Sequence, residues 1–238
     1  MYASTTQSPV LLVGTAHVID LEAPLRRLLG DRTLDGVAIE VDQERAAVLL
    51  GEAHGNGRAA GAPLFAQLWA RVQRRLGAEI GGGGPGAEMK VAAQLARERN
   101  LPVFLIDDPL RGTLLELVRR MPFKERVGLL VGAVVALFVP ARMVEREVQR
   151  YADSPEDYTA ELRRTSPTLA RVLLDERNEH MADRLAALRT QGFGRMAVVV
   201  GDAHLDGLRA ALGRRGVPVE SVRFRELRAA TASSAIPS

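Results

Sequence analysis

Leu11-Leu12-Val13-Gly14-Thr15-Ala16-His17 near the start of the chain and Val198-Val199-Val200-Gly201-Asp202-Ala203-His204 near its end share one design. Each is an apolar run followed by Gly-x-Ala-His, and each leads into a segment with helical spacing. Such a run reads as a buried strand that ends at a glycine, where the chain turns sharply and sets a histidine at the strand's carboxyl end. Side by side in one parallel sheet, the two ends would direct both imidazoles into one crevice, the place where open α/β sheets bind ligands.

The rest of the chain fits around that pair. Leu21, Leu25, Leu28 and Leu29 have helical spacing after the first strand. Asp35 to Glu40 is a short apolar run closing on a carboxylate, with Glu44, Arg45, Val48 and Leu49 as a following helix. Residues 51 to 62 read as a Gly/Ala-rich loop, and Gly81 to Gly86 as a hinge ahead of the helix that begins Ala87-Glu88-Met89. Leu101 to Asp108 is another apolar run ending in acids. Ser154-Pro155 and Ser166-Pro167 open helices with proline at the first helical position. Alternating β and α units predict an α/β fold: a central, mainly parallel sheet flanked by helices, with a large helical insertion at about 110–190 before the last strands. One domain over 1–228 and a disordered Ala/Ser/Pro tail over 229–238 complete the expectation.

Composition narrows the chemistry. The 238 residues include no cysteine, so thiolate catalysis and disulfides are excluded and a cytoplasmic location is expected. A net charge of +3 comes from arginines interspersed with acids along helices, which is the pattern of a solvated face, and aromatic residues make up only 4% of the chain. No nucleic-acid partner is expected. The first residues have no basic stretch followed by an apolar run, so no signal peptide is expected there. Val127 to Val139 is apolar on nearly every side but shorter than the ~20 residues of a membrane span. It is expected to be a buried or homodimer-forming helix, with membrane contact not favoured.

His17, His204, Glu40 and Asp107 close four of the apolar runs. Two neutral imidazoles and a carboxylate can hold a divalent ion and so activate a water, with another carboxylate as general base. The same residues can also be structural strand ends. His54 has no partner in spacing. Glu176 and His180 share a helix face and suit an ordinary surface pairing, whereas Arg177 beside them can clamp a carboxylate or oxyanion.

Six stretches in register carry a resemblance to a known family: Gly14 to Val18; Ile39-Glu40-Val41-Asp42 with Arg45; Gly86 to Met89; Ile106-Asp107 with Thr113-Leu114; Asp175-Glu176-Arg177-Asn178 with Met181; and Val200 to Leu205 with Gly207. Together they resemble the TraB/PrgY pheromone-shutdown proteins, which are related to the TIKI metalloproteases and more distantly to erythromycin-esterase-like and ChaN-like proteins. The resemblance implies one site with His17 and His204 as ligands of a divalent metal ion of unspecified identity. Glu40 would be a ligand or base, Glu88 the other acid, and Arg45, Glu176 and Arg177 would position substrate or acids. The family usually has Asp-Arg after the third strand; here Asp107 is followed by Asp108 and Pro109, leaving Arg111 as a substitute. The expected function is metal-dependent hydrolysis of a peptide or another amide or ester. The alternative is a non-catalytic protein that sequesters a peptide or small ligand through Arg45, Arg111 or Arg177.

Overall fold

Strands covered by helices on both faces must be apolar on both faces. Strands β1 (Val10–Thr15) and β4 (Met196–Gly201) meet that condition, with every residue buried except Gly201. In the computed structural model, which describes residues 8–15, 21–51, 86–136 and 154–233, they lie side by side, with Gly14 opposite Val200 and Thr15 opposite Gly201. The complete sheet of described strands runs β3-β2-β4-β1-β5 and is parallel throughout, with β2 at Gly36–Ile39, β3 at Val103–Leu105 and β5 at Val219–Val222. It is the expected α/β fold.

The period of two along each strand divides the core into two layers. Leu11, Val13, Val37, Ile39, Ala197 and Val199 face one side. There they meet Leu25 and Leu29 of α1 (Glu22–Gly30), Met89, Ala92 and Ala96 of α3 (Ala87–Glu98), and Phe224 and Leu227 of α9 (Phe224–Ser233). Val10, Leu12, Ala38, Met196, Val198 and Val200 face the other side. Their partners include Met181, Ala182 and Leu185 of α7 and Leu205, Leu208 and Leu212 of α8 (Leu205–Arg214). Between β2 and α3 lies the short helix α2 (Gln43–Leu49). Because β1 and β2 send helices to the first face and β4 sends α8 to the second, the carboxyl end of β4 is the point where helix placement switches sides, the place at which open α/β sheets put their ligand crevice.

Helices α4 (Leu110–Arg120), α5 (Phe123–Ala136), α6 (Pro155–Thr165) and α7 form the expected insertion between β3 and β4. Helix α7 is one run, Pro167–Ala170 and Glu176–Thr190 joined by a π-turn at Arg171–Asp175. Leu117, Met121 and Val172, with Leu129, Leu169 and Leu173 against them, give the insertion a small core of its own. Both proline-marked helix starts are present, although neither Ser154 nor Ser166 makes a side-chain capping bond.

The apolar segment beginning at Val127 is not a buried core helix on all its faces. Phe123, Val127 and Val131 stand exposed, one turn apart on α5, and residues 137–139 of the expected helix lie outside the described residues. Among the described residues no helix is long and apolar enough to cross a membrane. At the other end, α9 runs to Ser233 and so continues into the stretch expected to be a disordered tail.

Leu12 is fully buried in the second layer, so Leu12→Ala is expected to lower unfolding free energy by about 2–5 kcal/mol. Val48→Ser, at a half-exposed position on α2, is expected to change it by less than about 0.5 kcal/mol. Urea denaturation of the two variants beside the parent checks the contrast.

Candidate functional site

The sheet ladder continues just past the strands and fixes where the site residues leave them. The Glu40 amide donates to the Val199 carbonyl (3.1 Å), and the Ile106 amide donates to the Ile39 carbonyl (3.1 Å). Glu40 and Asp107 therefore leave β2 and β3 at one height, both buried. His204 is buried at the end of a 3-10 turn, Asp202–His204, that follows β4.

Arg177 joins these three ends. Its Nη2 donates to Glu40 Oε1 (2.5 Å) and Asp107 Oδ2 (2.7 Å), its Nε donates to Asp107 Oδ1 (2.9 Å), and its Nη1 lies 3.3 Å from His204 Nε2. The π-turn brings it there. The Glu176 amide reaches back five residues to the Arg171 carbonyl, and the Leu173 carbonyl within the turn accepts a bond from Arg177 Nη1. Insertion of a π-turn in an α-helix shifts the helical phase, a device often found at functional sites.

Arg45 extends the network outward. Its Nε donates to Asp42 Oδ2 (3.0 Å), and its Nη2 donates to Asp107 Oδ2 (2.6 Å) and the Glu40 carbonyl (3.1 Å). Asp42 also accepts the Arg45 amide and so caps α2. Asp107 thus takes its arginines from α2 and α7, not from the position after it, which is Asp108. The Asp108 amide donates to Asp107 Oδ1 (2.9 Å).

Burial alone would raise the Glu40 pKa. The charges of His204 and Arg177, with hydrogen bonds from His204 and the Gly201 amide, outweigh it and hold the carboxyl well below its ordinary value. Burial works against the charge of Arg177 too, and Glu40 and Asp107 more than offset it, keeping the guanidinium protonated.

His204 has both ring nitrogens engaged. Nδ1 lies 2.8 Å from Asn178 Oδ1, while Nε2 is 3.3 Å from both Arg177 Nη1 and Glu40 Oε1. Asn178 belongs to the stretch that carried the resemblance, yet it had no assigned role. Its signal was its place next to Arg177 in the sequence.

Asp202 is anchored elsewhere. It accepts the Phe224 amide (2.9 Å) and lies 3.4 Å from Arg223 Nη1, tying the turn after β4 to the start of α9. Gly14 leaves room for it, since a Cβ there would overlap the Asp202 carboxylate. The second residue of this Gly-x-Ala-His motif is therefore structural.

Of the remaining expected residues, Glu88 is buried in the first turn of α3. Glu176 is not brought into the cluster: it accepts from Arg120 Nη1 (2.7 Å) at the surface. His180 does not pair with it and lies 3.0 Å from Asp108 Oδ1, without the direction of a hydrogen bond. His17, His54 and the side chain of Arg111 lie outside the described residues.

The implied metal can be tested against these donors. Glu40 Oε1 and His204 Nε2 have the 3.3 Å separation of two ligands on one ion, but Arg177 approaches both atoms. Among the described residues no three His, Asp or Glu side chains are arranged to hold an ion. Arg177 holds the contact that an ion between Glu40 and His204 would make, and the other implied ligand, His17, lies outside the described residues.

The sequence profile of the TraB/PrgY/gumN family matches residues 3–221. An uncharacterized protein of Methanocaldococcus jannaschii, MJ1365, is 28% identical over 218 residues, which cover 87% of this chain and 54% of that protein. The chain spans about half the length of this curated relative.

Replacing Glu40 by Gln removes one of the two carboxylates on a buried guanidinium and leaves Asp107, which is expected to cost about 1.5–3 kcal/mol at neutral pH. Because the folded carboxyl sits below its unfolded value near 4.3, its stabilising share is present above that pH and is lost as pH falls toward the folded pKa. Thermal melts from pH 7 to pH 3 are therefore expected to fall more gently for Glu40→Gln than for the parent.

Proposed function

The chain belongs to the TraB/PrgY/gumN family, and from that premise we propose that its crevice hydrolyses a peptide or another amide or ester, with His204 as the proton acceptor. The observation carrying this reading is that Nε2 lies equally close to a donor and an acceptor. On the neutral ring, Nε2 accepts from Arg177 Nη1; once protonated, it faces Glu40 Oε1. A base with compensation in both charge states is suited to taking a proton and returning it.

In the proposed reaction a water gives its proton to Nε2 while its oxygen attacks the substrate carbonyl. The tetrahedral adduct then loses its amine or alkoxide, which receives the proton from Nε2. Arg45 is the cation available to the carbonyl oxygen: its side chain is 37% exposed and its Nη1 has no bond among the described residues. No step is routed through an ion, and the family's divalent metal enters as a separate question for measurement.

A second part of the proposal concerns assembly. The exposed Phe123, Val127 and Val131 form an apolar stripe on α5, and we assign it to a homodimer contact. Light scattering after size exclusion should give a dimer for the parent and a monomer for Val131→Glu. A folded variant with unchanged mass removes this interface.

For the reaction, the purified protein is presented with chromogenic esters and a mixed peptide library, with and without added divalent metals. Turnover is expected to fall by about 10²-fold or more in His204→Ala. Turnover unchanged in that variant, or peptide binding without turnover in the parent under every metal condition, overturns the reading; the latter favours a sequestering protein. Metal analysis of the parent beside a His17→Ala, His204→Ala double variant decides the ion: bound metal lost in the variant supports it, and equal content in both removes it.

A further inference from the structure

Two consecutive residues of α7 hold the two nitrogens of one imidazole. Arg177 approaches Nε2 and Asn178 approaches Nδ1 of His204. We infer that Asn178 is the positioning residue that sets the tautomer of His204, keeping the ring proton on Nδ1 and leaving Nε2 as the bare acceptor. The inference deepens the reading of His204 as the working base, but it rests on geometry that can be measured without any turnover.

The partner of Nδ1 fixes the direction. Nε2 lies 3.3 Å from a group that only donates, Arg177 Nη1, and 3.3 Å from one that only accepts, Glu40 Oε1, so those two neighbours suit either tautomer. Asn178 presents Oδ1, an acceptor, to Nδ1 at 2.8 Å, which places the ring proton on Nδ1. The amide stands with Oδ1 toward the ring and Nδ2 toward α8. Nδ2 packs against Gly207 on α8, where a Cβ would overlap it, so the motif glycine after His204 is the space in which the Asn178 amide stands.

Both residues are almost sealed from bulk water: Asn178 is 3% and His204 is 4% exposed. A buried hydrogen bond without a competing water selects its partner's protonation pattern strongly. An unconstrained neutral imidazole carries its proton mostly on Nε2, the wrong nitrogen for accepting a proton beside Arg177 and Glu40. Asn178 reverses that preference. On the neighbouring turns of α7, Asp175 pairs with Arg163 of α6 and Glu179 with Arg215, so this assignment falls to the Asn178 amide, the one bond to Nδ1 among the described residues.

The chain has four histidines, and a His204→Gln spectrum identifies the ring signals of His204 in long-range ¹⁵N–¹H correlation spectra of the labelled protein. The spectra are recorded near pH 8.5, about two units above the ordinary histidine value. The parent is expected to show Nδ1–H. Asn178→Leu is expected to lower the Nδ1–H to Nε2–H ratio by about tenfold or more, a change of the size of one hydrogen bond. Asn178→Asp, which keeps the acceptor, retains Nδ1–H. Gly207→Ala, which does not touch the ring, moves the ratio in the same direction as Asn178→Leu by displacing the amide.

A purely structural Asn178 would lower the melting temperature and leave the tautomer of the folded protein unchanged; that result overturns the inference. So does an Nε2–H signal in the parent, which needs no variant to fold. Nδ1–H in a parent that hydrolyses nothing leaves the inference standing while the proposed reaction fails, and turnover with Nε2–H in the parent does the opposite.

Discussion

A guanidinium held out of water between two carboxylates governs this structure. Arg177 cannot shed its charge, and its side chain is only 12% exposed, so burying it is favourable only where the negative partners are already fixed. The sheet supplies that fixity. Glu40 and Asp107 leave neighbouring strands at the same height, anchored by backbone bonds, and the arginine bridges them from a helix of the insertion. One side chain thereby couples α7 to β2, β3 and the turn after β4.

Charges alternate outward from that point: Glu40, Arg177, Asp107, Arg45, Asp42. Each guanidinium is shared by two acids, and Asp107 is shared by two guanidiniums. Such a chain satisfies polar groups that would be costly if left single. It also explains how Asp107 is compensated although Asp108, not a cation, follows it. The charge arrives from two other elements, and Asp108 turns its backbone amide to Asp107 instead.

The crevice itself follows from strand order. Strand β4 lies between β1 and β2 yet sends its helix to the opposite face, so the chain parts at its carboxyl end. His204 enters this gap from a tight turn, and the residues beside it divide the work. Asp202 faces the last helix and holds it, Gly201 offers its amide to Glu40 at 2.7 Å, and His204 meets Arg177 and Asn178. A short motif thus combines architecture and chemistry in adjacent residues.

Local patterning determined the strands, their burial and the alternation of β and α, because an apolar run ending at glycine has few ways to satisfy its backbone and bury both faces. It also marked Glu40, Asp107 and His204, since polar residues closing apolar runs come to rest at strand ends. Sequence adjacency could not separate Glu176 from Arg177: a helix turns about 100° per residue, and the π-turn sets which of the two meets the sheet. Nor could it show that Arg177 would approach the atoms proposed for a metal, or that Gly207 makes room for Asn178. Those are contacts between residues distant in the chain, decided only when the crossover at β4 and the return of α7 bring their elements together.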